Sequence, residues 1–171
     1  MRKTALYAVP LASSLFVLGC VPKPQPITQI FNPEDVSWIY DSGPNKISGS
    51  ALIRQKGGGV VTCAGYQVSA VPVSSYAKER IGKMYGNTQR GYNPATGGRK
   101  VVEPDLRYVD MSKNTVCDAQ GKFVFDDLPN GQYYITTNVL WQVNDYFYEG
   151  GSLMQYVSVE GGESKDIVMT P

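Results

Sequence analysis

Apolar and polar residues alternate along several short stretches of the chain with the two-residue period of a half-buried strand. The alternation is clearest at 122–126, where Phe123 and Phe125 share one face. The longest run covers 133–143: Tyr133, Ile135, Val139, Trp141 and Val143 have one parity, broken only by Thr137. Strand character recurs at 47–55, 60–63, 66–73, 115–117, 154–159 and 166–169. Turn formers separate these runs. Gly57-Gly58-Gly59 reads as a hairpin turn, Asp118 to Gly121 as a type I turn, and Leu128-Pro129-Asn130-Gly131 as a turn with proline preset at its second position. The turn Glu160-Gly161-Gly162-Glu163 makes the last two runs a terminal hairpin. Seven or so strands at this spacing, with little helix, predict an all-β antiparallel sandwich. One segment has a helical period: Ala77, Ile81, Met84 and Tyr85 fall on one face of a short helix capped by Ser74 or Ser75 and ending at Tyr85. Residues 86–98 then read as open loop.

The first residues have a different pattern. Met1, Arg2 and Lys3 make a basic start, and 4–18 are uncharged and mostly apolar. That run is shorter than the ~20 residues of a membrane-spanning helix and fits a secretory signal. It ends in Val17-Leu18-Gly19-Cys20, which resembles the lipobox of bacterial lipoproteins. The resemblance implies cleavage before Cys20, lipidation of that cysteine (palmitate among its acyl chains), and a membrane anchor. Val21 after the cysteine implies sorting to the outer membrane. The competing reading is an ordinary cleaved signal. Residues 1–19 are thus the signal peptide and 20–44 a lipidated, proline-rich tether. Phe31, Trp38, Ile39 and Tyr40 are too apolar for a pure linker, so part of 27–44 is expected to pack on the body at 45–171.

Composition narrows the chemistry. The 171 residues carry a net charge of +1, against a dedicated nucleic-acid binder. There is no histidine, which removes Ser-His and Cys-His nucleophile pairs and histidine-ligated zinc. Of three cysteines, Cys20 is taken by the lipid. Cys63 and Cys117 remain as an even pair in an exported chain, and a disulfide between them is expected, with two free buried thiols as the alternative.

The run from Asp118 to Ile135 resembles the signature D-x-x-G-x-F-x-F-x-x-L-P-x-G-x-Y-x-(I/L) of carboxypeptidase regulatory-like domains, also called transthyretin-like or prealbumin-like. Ile47-Ser48-Gly49-Ser50-Ala51 is similar to their opening strand. The resemblance implies a seven-stranded Greek-key sandwich, with the Tyr133 hydroxyl tying a loop, and a non-catalytic binding or stabilising role. Where the family has a short connection, this chain has an insertion at about 74–113. Between 78 and 100 it carries Lys78, Arg80, Lys83, Arg90, Arg99 and Lys100 against Glu79 alone, whereas the chain from Asp118 onward is acidic. Tyr76, Tyr85 and Tyr92 interleave with Lys78, Arg80, Lys83 and Arg90, a mixture interfaces favour. This loop is the candidate binding surface for an anionic glycan, a lipid headgroup or an acidic protein face. The competing reading is a solvated excursion packed on the sandwich.

Other chemistry is weaker. Ser75-Tyr76-Ala77-Lys78 and Tyr85-Gly86-Asn87 match S-x-x-K and Y-x-N, but they stand too close together, lack a following K-T-G and belong to a chain too short for that enzyme fold. Asp126-Asp127 lacks the regular oxygen ligands of a calcium loop. No catalytic residue, cofactor or metal is expected. The sequence therefore predicts an envelope binding or assembly module, with a structural subunit of an envelope or secretion complex and an accessory protein of a partner hydrolase as alternatives.

Overall fold

The computed structural model describes residues 23–171. The expected signal peptide at 1–19, the expected lipidation at Cys20 and the start of the expected tether lie outside these residues. Two sheets face one another. The first holds β1 (Asn45–Arg54), β2 (Val60–Thr62), β6 (Lys122–Leu128) and β9 (Ser164–Met169), with β1 central. The second has the order β4 (Arg90–Pro94), β8 (Phe147–Val159), β7 (Gly131–Asn144), β3 (Gln67–Pro72), β5 (Lys113–Val116). Every second residue of β1 is buried, and Phe123, Phe125, Leu128, Ile167 and Met169 join Ile47 and Ala51 on the inner face. They meet Val68, Ala70, Tyr133, Ile135, Val139, Leu153 and Val157 from the second sheet in one core. Burial of each large apolar side chain contributes roughly 1.5–3 kcal/mol. The β-sandwich is thus built by the alternation itself. No helix among the described residues is long and apolar enough to cross a membrane.

Three features differ from the sequence expectation. Among the described residues there are nine strands, because β4 lies inside the stretch expected to be open loop and pairs antiparallel with β8. β8 starts at Phe147, well before the expected 154, because Gly150 and Gly151 interrupt its side-chain pattern without interrupting its backbone pairing with β7. The terminal hairpin is not formed: β9 leaves β8 for the other sheet and runs parallel to β1, from Lys46 beside Ser164 to Ala51 beside Met169. Asn45 makes this crossing possible. Its Oδ1 accepts from the Gly162 and Glu163 amides (2.9 and 3.0 Å), and its Nδ2 donates to Leu128 O and Asn130 Oδ1 (both 3.0 Å). One buried side chain therefore holds two turns to the start of β1.

The predicted helix is α1 (Ser75–Tyr85), with Ser74 as its cap: Ser74 Oγ accepts from Ala77 N at 3.1 Å. α1 lies on the outer face of the second sheet, where Ala77, Ile81 and Tyr85 form a second apolar cluster with Val71, Tyr134 and Met154. β7 is therefore buried on both faces. A short α2 (Leu106–Asp110) follows in the same layer. The segment before β1 contributes a 3-10 helix, Pro33–Tyr40, whose Val36 and Ile39, with Phe31, close one end of the core. Trp38 stands edge-on to Tyr133, 5.4 Å between ring centroids. Its ring occupies the space a side chain at Gly131 would fill, which is why that turn ends in glycine.

Cys63 and Cys117 are bonded, linking the end of β2 in one sheet to the end of β5 in the other. The Tyr133 hydroxyl donates to Pro129 O at 2.8 Å, bracing the turn between β6 and β7. Asp126 pairs with Lys46 (2.9 Å), and Asp127 sits at φ 56°, a left-handed position that aspartate tolerates better than most residues.

Candidate functional site

The basic, tyrosine-bearing insertion does not form a single surface. Tyr76 is buried against Phe31 and Tyr108, and its hydroxyl accepts from Asp105 N at 3.0 Å. Arg80 is buried and donates to Val102 O at 2.6 Å. Tyr85 is buried under α1, and that burial holds its phenol above the ordinary value. Lys83 pairs with Glu79 at 2.7 Å and also donates to Pro26 O. Arg90 is exposed on β4 and donates to Val168 O at 3.2 Å. Lys78 is exposed on α1, and Tyr92 lies elsewhere, at the opposite end of the sandwich from the 3-10 helix. Amphipathic side chains that look like a recognition patch in sequence serve here to attach a helix and a strap to the sheet.

A different site arises from strand length. β7 and β8 are 14 and 13 residues long, whereas β6 and β9 have 7 and 6. The long hairpin outruns the opposite sheet. Tyr133, Ile135, Thr137 and Val139 spend its inner face on the core, and Trp141, next in the same parity and paired with Glu149, packs at the margin of that core beside an open cleft. The β1–β2 turn comes up on the other side. Between them lies a cleft of about 960 Å³, whose lining includes Trp141, Phe147 and Tyr92 on one wall and Arg54 and Lys56 on the other. Trp141 is half-buried, while Phe147, Glu149, Arg54 and Lys56 are exposed.

Two details fix the aromatic wall. Gly150 has φ 97°, and a Cβ there would meet Val139 O and the Trp141 ring; only glycine lets the indole lie against the β8 backbone. Tyr92 donates to Gly150 O at 2.8 Å, pinning the edge strand β4 to the same residue. Burial, and second to it the negative charge of Glu149, keeps the Tyr92 phenol above its ordinary value, so it remains a neutral donor. The cleft therefore offers flat aromatic faces together with donors and acceptors of both charges, the usual makeup of a small-molecule site. Among the described residues that line it, Glu149 is the one carboxylate side chain. Among the described residues, no group of three or more Cys, Asp or Glu is placed to hold a metal ion.

Trp141 was visible in the sequence only as one more inward-facing position of a long strand. No signal in the sequence marks it as lining a cleft.

No protein-family model matches the chain, and no curated protein matches it. A solved structure from Pseudomonas aeruginosa, described as a "putative carbohydrate binding protein", has a TM-score of 0.68 to this chain at 24% identity, covering 82% of this chain and 97% of its own. The likeness is one of fold.

Proposed function

We propose that this protein is a lipid-anchored, non-catalytic saccharide-binding module of the bacterial envelope, and that the ligand lies in the cleft against Trp141, Phe147 and Tyr92. The observation that carries the reading is the long β7–β8 hairpin, whose Trp141 and Phe147 join Tyr92 of β4 in an aromatic wall at the open margin of the core. Pyranose rings offer apolar C–H faces to such walls, and their hydroxyls suit Arg54, Lys56 and Glu149. Arg54 and Lys56 favour an anionic glycan. A single carboxylate suits holding a sugar better than cleaving it, since glycoside hydrolysis ordinarily employs two. The similar fold of a protein described as carbohydrate binding supports the same ligand class. The D-x-x-G-x-F-x-F signature and the Tyr133 hydroxyl bond support membership of the carboxypeptidase regulatory-like, transthyretin-like class with its Greek-key core. Val17 to Cys20 support acylation at Cys20 and an outer-membrane address.

The test is a screen of the mature protein against neutral and uronate-containing oligosaccharides, read by glycan array and by indole fluorescence. Binding is expected to fall at least tenfold in Trp141→Ala with the disulfide and Tm retained. A ligand that binds Trp141→Ala and Phe147→Ala as tightly as it binds the parent removes the cleft from the reading.

A further inference from the structure

The end of the tether is fastened to the body in register. Gln25 forms a short parallel bridge to Val101: its N–H donates to Lys100 O (2.8 Å), and Val102 N–H donates to its carbonyl (3.0 Å). Lys83 donates to Pro26 O. Glu79 accepts from Thr28 N, Thr28 Oγ1 and Gln29 N at 2.7–3.1 Å. Phe31 then meets Tyr76. Residues 25–31 thus run along α1 from its C-terminal end to its N-terminal end.

Cations that belong to no ion pair lie in this same layer. Lys23, Lys78, Arg99 and Lys100 are exposed, and among the described residues none of them is within salt-bridge distance of an acid. Arg99 lies against Gly86 at the C-terminal end of α1, where the helix dipole favours positive charge. The acids Asp118, Asp126, Asp127, Glu160, Glu163 and Asp166 instead belong to the strands and turns around the opposite sheet. That sheet also carries Lys46, Arg54, Lys56, Lys122 and Lys165, and the strap and α2 carry exposed Glu103 and Asp110, so what distinguishes the α1 layer is its group of unpaired cations beside the tether.

We infer that the layer formed by α1, the 99–102 strap and the docked tether is a membrane-facing surface that rests on anionic phospholipid. The inference builds on the lipid-anchor reading. Whatever its conformation, a chain of five residues can bridge at most about 16 Å at ~3.3 Å each, which bounds the distance from Cys20 to Gln25. A body fastened at Gln25 is held within two Debye lengths of the headgroups, each ~8 Å at physiological salt. Lys23, Arg99 and Lys100 surround the point of attachment, and each cation near an anionic leaflet strengthens association about fivefold. A short tether pinned beside cations fixes which face meets the bilayer, whereas a free tether of that length would leave the body able to roll.

The experiment uses the mature chain with Cys20→Ser, which isolates the surface from the acyl chains, and vesicles of phosphatidylcholine with or without 30% phosphatidylglycerol, the latter figure chosen as roughly the charge of an anionic leaflet. Cosedimentation is expected only with the anionic vesicles, is expected to fade as salt is raised, and is expected to drop at least tenfold in Lys78→Glu/Arg99→Glu/Lys100→Glu. A control reversing Lys46 and Lys122 on the other sheet is expected to bind as the parent does. Equal binding to both vesicle types, or equal losses in the two sets of reversals, overturns the inference. Mass analysis of the natural mature protein tests the anchor separately. An unacylated Cys20 with charge-dependent binding refutes the anchor and keeps the surface; an acylated Cys20 without it does the reverse.

Discussion

Asn45 illustrates how much one residue can carry and how little the sequence advertises it. It is 1% exposed, and its amide makes four hydrogen bonds, to Leu128, Asn130, Gly162 and Glu163. In sequence it is an asparagine after Gly43-Pro44, indistinguishable from a turn former. Its importance follows from the burial of its partners, since an amide or carbonyl left unpaired inside a protein costs about 1–3 kcal/mol. Asn45→Ala is therefore expected to lower stability by roughly 2–4 kcal/mol, read as a reduced urea midpoint with an unchanged slope. Asn45→Asp is expected to keep the two bonds from Gly162 and Glu163 and lose the two donated by Nδ2, falling between parent and alanine. Tyr133 was legible where Asn45 was not, because its signature spacing from Gly131 and Leu128 marks a braced turn and the observed bond to Pro129 closes that turn.

At the scale of elements, periodic ones were readable and interrupted ones were hidden. α1 announces itself through Ser74 and the apolar stripe ending at Tyr85. β6 and the first half of β7 announce themselves by strict alternation. β4 is Arg-Gly-Tyr-Asn-Pro, three of its five residues turn formers, and only its pairing with β8 makes it a strand. The docked segment before β1 is half-legible: Phe31 announces that part of 27–44 packs, but what fixes residues 28 and 29 is Glu79 fifty residues away. Three donors and Lys83 face that carboxylate, and they lower its pKa from the usual 4.5 to about 2, the Lys83 bond first among the causes. A carboxyl group whose folded pKa is depressed contributes attachment that is complete above its unfolded value and lost as pH falls through the folded one. The backbone amide resonances of Thr28 and Gln29 are thus expected to titrate with a midpoint near 2. A midpoint at the ordinary glutamate value means the clamp is not made. In Glu79→Gln the same resonances are expected to be insensitive to acid and to show weakened attachment at neutral pH.

The whole molecule is held by a crosslink that joins its sheets, and that much was readable from cysteine arithmetic. Cys63 and Cys117 are separated by 54 residues, and closing such a loop contributes about 4 kcal/mol in the chain-entropy model. Replacing both with alanine is expected to lower Tm by roughly 8–16 °C, measured by calorimetry on the oxidised parent and the double variant. The cleft was not readable, for a reason that is also global. Whether Trp141 ends in a core or in an open wall depends on how far the opposite sheet extends, and no local pattern around position 141 encodes the lengths of β6 and β9. The tyrosine-bearing insertion allowed two readings for the converse reason: Tyr76, Arg80 and Tyr85 look like surface chemistry in sequence, and their burial fits the alternative of an excursion packed on the sandwich.

The parallel seam between β1 and β9 sets the order in which this chain can be completed. Position 48 meets position 166 across 118 residues, so the central strand of the first sheet has a bare edge until almost everything else has been made. During synthesis, Ile47 and Ala51 face a half-built interior that no earlier segment can close. Protection against premature pairing of that edge with another nascent copy must come from outside the chain, or from emergence fast enough to beat it.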